Sequence, residues 1–258
     1  MSFEESWFAA LKSYCEAELT YPDKDIYRAI EGVGARVASL THTSYAHGIR
    51  GATLPAALLW AAPFHQTRRS PPRRAPTWHW ASYEHHTSGT FWDATYLYSQ
   101  SRSDAWRVAP LAYTFLYDDC QQLPVDPSAK DFWPKLLCIG QPLMLDVEDR
   151  DGLGSNDFSL CQFSPRGSFV SIHPDVDIGF KGYKLGDRYA YLPLVGKTKV
   201  RNPWDKFKGR RVSWVGSSGL LLRQTGRQRF QRIGCVRDNG EDRVKLLAKK
   251  KPQLIILE

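Results

Sequence analysis

The chain opens on a helical rhythm of apolar and polar positions. Ser2-Phe3-Glu4-Glu5 has the Ser-x-x-Glu form of a capping box, in which each side chain satisfies an amide that the first helical turn leaves open. Trp7, Leu11, Tyr14 and Glu18 follow at helical spacing, with Ala10 and Cys15 beside them. Pro22-Asp23 predicts a second start, and Ile26, Ile30, Val33, Val37 and Leu40 recur at spacings of four, three, four and three, as one apolar face of a helix does. A short third helix is expected over residues 54–60, capped by Thr53. Residues 61–74 break the rhythm with three prolines and four arginines, and predict an exposed, extended connector.

Beyond the connector the pattern changes to short apolar runs parted by turn signals. Strands are expected over residues 78–83, 95–98, 111–117, 136–147, 158–163, 168–173, 188–195, 212–214, 219–224, 229–236, 244–247 and 253–257. Asp149-Arg150-Asp151-Gly152, Ser164-Pro165-Arg166-Gly167 and Asp238-Asn239-Gly240 predict turns, and Asn239-Gly240 suits a type I′ hairpin. Gly216-Ser217-Ser218-Gly219 also reads as a tight turn. The expected fold is α+β, mainly β, with short N-terminal helices packed on a curled antiparallel sheet or a β-barrel or sandwich. Three short helices make a poor core alone, so residues 1–258 are expected to form a single domain, with residues 1–60 helical, residues 61–74 the connector and residues 75–258 β-rich.

Composition narrows the class. Nine Trp, twelve Tyr and twelve Phe in 258 residues supply an aromatic core suited to barrels or sandwiches. No eighteen-residue apolar run exists, so no membrane span is expected. The acidic start Met1-Ser2-Phe3-Glu4-Glu5 lacks the apolar stretch of a signal peptide. Cys15, Cys120, Cys138, Cys161 and Cys235 are odd in number and scattered, and no Asn-x-Ser/Thr acceptor occurs; both point to the reducing cytoplasm and free thiols. The formal charge of +8 gathers at Arg68, Arg69, Arg73 and Arg74, between Lys197 and Arg211, and at Lys249-Lys250-Lys251. No nucleic-acid module accompanies these clusters, so they read as solvated surface and nucleic acid is not an expected partner.

Familiar chemical motifs fail on inspection. Gly32-Val33-Gly34 lacks the third glycine of a dinucleotide loop and lies inside a helical pattern. His173-Pro174-Asp175-Val176-Asp177 could chelate a metal, but no second cluster completes a coordination sphere and a turn explains it. No cofactor and no metal are therefore expected. Glu84-His85-His86 sets an imidazole beside a carboxylate, a pairing suited to proton transfer or to an ordinary polar loop. The most unusual stretch is Trp78-His79-Trp80-Ala81-Ser82-Tyr83. As a strand it would put Trp78 and Trp80 on one face, and His79, Ala81 and Tyr83 on the other. One face would be core, the other a pocket wall or a second packed layer.

Several blocks resemble one family in order. Leu19-Thr20-Tyr21-Pro22-Asp23-Lys24, Ala29-Ile30-Glu31-Gly32-Val33-Gly34, Tyr45, Gly48-Ile49, Leu54-Pro55 and Leu58-Leu59-Trp60 come first. The most specific block follows, Arg74-Ala75-Pro76-Thr77-Trp78-His79-Trp80-Ala81-Ser82, and then Gly219-Leu220-Leu221-Leu222 and Phe230-Gln231-Arg232-Ile233-Gly234. Together they resemble the region that follows the HET domain in fungal heterokaryon-incompatibility proteins, whose signature reads Arg-Ala-Pro-Ser-Trp-Ser-Trp-Ala-Ser. His79 stands where that signature has Ser, and Arg50 where the family has Trp. The HET domain itself has no counterpart before residue 19, so a complete incompatibility effector is not expected.

Two functions follow as expectations. One is a cofactor-free enzyme of fungal secondary metabolism, a cyclase or isomerase of the Diels–Alder or pericyclic type, that folds a hydrophobic small molecule in an aromatic pocket. His79 and Tyr83 would be its donors or proton shuttles, and Trp78, Trp80, Trp92 and His85 would contact the substrate. The other, which the resemblance implies, is a non-catalytic module in fungal self/non-self response. The first predicts an aromatic cavity with a few polar groups; the second predicts a filled core and an exposed apolar patch.

Overall fold

A computed structural model describes residues 3–17, 19–21, 25–61, 68–69, 75–84, 91–92, 106–117, 135–145, 171–174, 189–200, 212–238 and 251–258. The expected strands at 95–98, 158–163 and 244–247, most of the connector 61–74, the start of the strand at 168–173 and the expected turns at 149–152, 164–167 and 238–240 lie wholly or partly outside them. Helix α1 (Phe3–Glu16) forms where the first periodicity placed it and buries Trp7, Phe8, Leu11 and Cys15. Helix α2 (Arg28–Thr41) also forms, but on a different stripe. Its buried positions are Ile30, Gly34 and Ala38, whereas Val33 and Leu40 are 54% and 64% exposed. The cause is Gly34: a Cβ there would lie 2.0 Å from the Tyr45 ring, so the bare backbone is what lets an aromatic ring lie on the helix. A pattern that counts only large apolar residues misses such a contact.

The hairpin β1 (Tyr45–Ala46) and β2 (Ile49–Arg50) delivers that ring. Its two-residue turn, His47-Gly48, has positive φ at both positions (50° and 86°), the requirement of a type I′ turn. The helix expected at 54–60 is instead two 3₁₀ turns, Gly51–Thr53 and Ala56–Leu58, running into β3 (Trp60–Ala61). Pro55 interrupts it, since a proline cannot donate within a continuing helix. Short pairs follow: β4 (Arg68–Arg69) with β5 (Tyr83–Glu84), and β3 with β6 (Phe91–Trp92).

Among the described residues the remaining strands build one nine-stranded sheet. They are β7 (Trp106–Pro110), β8 (Tyr113–Tyr117), β9 (Lys135–Gly140), β10 (Leu143–Leu145), β11 (Ser171–Pro174), β12 (Tyr189–Val200), β13 (Val212–Gln224), β14 (Arg229–Asp238) and β15 (Gln253–Leu257). The order is β10-β12-β13-β14-β15-β9-β8, with β7 also on β12 and β11 also on β14. Every pair is antiparallel except β14 with β15, so the sheet is mixed, and its path among the described residues does not close into a barrel. The expected strand at 136–147 is split by Gln141-Pro142 into β9 and β10.

The supposed turn Gly216-Ser217-Ser218-Gly219 is the middle of β13. It faces a bulge in β12, where register shifts between Pro193 and Val195. The freed Leu194 carbonyl accepts from the Leu111 and Ala112 amides at 2.8 and 3.4 Å, which seats the β7–β8 corner. The small residues serve close approach, and Ser217 Oγ accepts from the Tyr191 hydroxyl at 2.8 Å.

One hydrophobic cluster joins α1, the 3₁₀ turns, Trp78 and Trp80 to the inner sheet residues Leu136, Leu192, Leu220 and Ile255. Buried polar groups stitch the helical region to the sheet. Fully buried Arg232 on β14 donates from Nη1 to the Leu58 carbonyl at 2.5 Å and from Nη2 to the Trp60 carbonyl. Its guanidinium stacks 3.4 Å over the Trp60 ring centroid. Thr77 accepts from the Arg232 amide at 3.1 Å and donates to the Glu258 carbonyl. No helix among the described residues is long and apolar enough to cross a membrane.

Candidate functional site

The Trp78-His79-Trp80 stretch is not a strand. Residues 77–79 turn and Trp80–Ser82 form a 3₁₀ helix. His79 N–H donates to the Pro76 carbonyl and Ser82 N–H to that of His79, both at 3.0 Å. These i to i+3 bonds coil the chain, and the two-faced alternation disappears. Trp78, His79 and Trp80 are all buried, His79 with 0% of its surface exposed.

The bonding of His79 fixes its tautomer. The Ala81 amide donates to Nδ1 at 3.1 Å, so Nδ1 is an acceptor, and Nε2 carries the proton that it donates to the His47 carbonyl at 2.6 Å. His47 is the first turn residue of the β1–β2 hairpin, and the second, Gly48, lies so near the Trp80 ring that a Cβ would be 2.7 Å from it. His79 and Trp80 therefore hold the hairpin tip. Around them rings pack on rings: His79 lies 5.1 Å from Trp80, 5.5 Å from Trp78 and 5.6 Å from Tyr27, and Tyr14 meets Trp80 edge-on at 6.2 Å. The Trp60 indole donates to the Trp78 carbonyl at 3.0 Å.

The other expected residues are placed only partially. Trp92 pairs with Trp60 across β3–β6, which brings its backbone to the edge of the same cluster. Tyr83 pairs with Arg69 across β4–β5. His85 lies outside the described residues. His173 is a strand residue of β11, opposite Cys235. Among the described residues there is no group of three or more His, Cys, Asp or Glu that could hold a metal. Burial pushes the Cys138 thiol up to about 12, so it stays protonated and unreactive at neutral pH.

Sequence reasoning missed that Arg50 and Arg232, among the described residues, are buried. Each was legible as a cation inside an apolar block, Gly48-Ile49-Arg50 and Phe230-Gln231-Arg232-Ile233. His79→Ala is expected to lower stability by about 2–4 kcal/mol, because it empties a packed site, leaves the buried Ala81 amide without the Nδ1 acceptor and removes the bond to the half-buried His47 carbonyl. Urea unfolding at neutral pH measures this; a loss under about 0.5 kcal/mol would mean that the hairpin tip does not depend on the ring. No family model, curated protein or solved structure matches the chain.

Proposed function

We propose that the protein is a non-catalytic interaction module that docks a partner protein on the outer face of the β15–β9–β8 end of its sheet. One observation carries this reading. Tyr113, Ile139 and Leu254 stand directly side by side on three neighbouring strands, and they are 76%, 40% and 38% exposed. Single apolar residues on a surface are ordinary, but a lateral row of them marks a binding face. The next row on this face, Leu137 beside Ile256, is apolar and half-buried. Strand β15 thus turns Leu254 and Ile256 outward and Ile255 and Leu257 inward. A strand with one face in water would alternate apolar with polar.

The state of His79 supports the same reading. A proton shuttle must meet its substrate, and this ring is sealed with both nitrogens bonded. The resemblance of separate blocks between residues 19 and 234 to the region after the HET domain suggests a setting, partner recognition in a fungal self/non-self response.

The test combines Tyr113→Ser, Ile139→Thr and Leu254→Thr in one variant. Because these side chains point outward, its melting temperature should stay within about 2 °C of wild type. After incubation with an extract of the source organism, native mass spectrometry should find wild-type protein with a protein partner and the triple variant without it. A retained small organic molecule that converts on standing, with conversion lost in His79→Phe, would favour the cofactor-free cyclase or isomerase instead.

A further inference from the structure

Arg50 is buried like Arg232 but bonded differently. With 1% of its surface exposed, it sits at the end of the β1–β2 hairpin beside the first turn of α1. Its Nη2 donates to Thr41 Oγ1 at 3.1 Å and to Thr43 Oγ1 at 3.5 Å. Its Cζ lies 4.5 Å from the ring centroid of Phe3, the first residue of α1, and 5.8 Å from that of Trp7. Nε and Nη1 have no hydrogen-bond partner, and neither has the buried indole Nε1 of Trp7. Guanidinium and indole nitrogens only donate, so all of these positions call for an acceptor. A buried cation without one is costly, and burial already lowers the affinity of this guanidinium for its proton. Glu4 favours the charged form through space, yet Arg50 makes no ion pair among the described residues. The start of α1 adds the positive end of a helix dipole and outward-pointing amides.

We propose that Arg50, Trp7 and the first turn of α1 form a binding site for a small carboxylate anion. Arg50 Nε and Nη1 and Trp7 Nε1 are its donors, and the Phe3 ring, 44% exposed, covers the guanidinium from the solvent side. A carboxylate only accepts, through two oxygens, and so complements these three open donors. The Glu4 carboxylate competes for these donors. The site stands apart from the apolar row on the sheet and does not depend on the docking function.

Thermal unfolding of the full chain in sodium formate, against sodium chloride at equal ionic strength, tests this. Formate at ten times its Kd should raise the wild-type Tm by roughly 3 °C over chloride. Arg50→Met should abolish that difference and, in chloride, melt at or above the wild-type temperature, because a buried charge without an acceptor has gone. Trp7→Phe keeps an aromatic ring but removes the Nε1 donor and should shrink the formate response; if Arg50→Met does not fold, this variant carries the test. Glu4→Gln should enlarge the response by removing the competitor. Equal wild-type melting in both salts, or a formate response that survives Arg50→Met, overturns the proposal. So does a Glu4→Gln variant that loses stability in wild type but not in Arg50→Met, since Glu4 would then be the acceptor itself.

Discussion

Arg232→Ala should cost about 3–5 kcal/mol of folding free energy, the largest loss expected from truncating any one of the buried polar side chains among the described residues. Burying a guanidinium is expensive, and a buried charge is by itself weak proof of stabilisation. The balance turns on what the charge satisfies. Nη1 and Nη2 answer the Leu58 and Trp60 carbonyls, which end a 3₁₀ turn and enter β3 away from water. Removing the guanidinium leaves the Leu58 carbonyl buried and open at about 1–3 kcal/mol, leaves the Trp60 carbonyl with only the weak Cys235 thiol donor at 3.0 Å, vacates the space over the Trp60 ring and forfeits the stacking. Arg232→Lys should recover less than half of the loss, because one ammonium cannot reach two carbonyls and lie flat on an indole. Urea unfolding followed by tryptophan fluorescence measures it. A loss below about 1 kcal/mol for Arg232→Ala would show that the desolvation penalty had cancelled the benefit of the bonds.

Gly219→Ala should be comparably severe, by about 4 kcal/mol or more, and for a purely steric reason. A Cβ there would stand 2.0 Å from the Leu192 oxygen and 2.6 Å from the Pro193 Cα. Both atoms belong to the backbone of the bulged strand β12, so no side chain can swing aside. Either the β12–β13 pair parts at the bulge or the corner seated on Leu194 moves. Gly226→Ala is the matched control: its nearest atom would be 3.5 Å away, on the Arg229 side chain, and its stability should stay within about 0.5 kcal/mol of wild type. Hydrogen exchange at Leu111 and Ala112 would report the damage locally. Unchanged protection there in Gly219→Ala would mean that the two strands are not held this closely in solution.

These two sites show what the sequence can and cannot say. Strong periodicity survives: α1, β14 and β15 form close to where their patterns predicted. Local rules fail where a distant contact sets the geometry. The glycines and serines at 216–219 carry every local mark of a turn, yet they are there because a bulge in β12 presses on them. The stripe on α2 is shifted because Tyr45, from a hairpin further along the chain, needs the bare surface of Gly34. Trp78-His79-Trp80 has the composition of a strand and coils instead, since burial of every side chain removes the reason to alternate. Its identity as a special stretch was legible; its geometry was not. Arg50 and Arg232 were visible as cations in apolar blocks, but which carbonyls or donors they would leave answered or unanswered depends on 3₁₀ turns that no pattern announced.

The order of strands in the sheet also sets a timetable. Strand β15, residues 253–257, lies between β14 and β9 and is the ladder's link between β8–β9 and the larger block from β10 to β14. It follows every other strand of the sheet in sequence, so a ribosome finishes both blocks before it makes the piece that joins them. Until then β9 shows an unpaired edge on one block and the start of β14, ahead of the part that β11 covers, shows one on the other, the kind of surface on which nascent chains aggregate. Completing the sheet needs contacts between distant segments of the sequence, so the last step of folding should be slow and should fall after synthesis of β15.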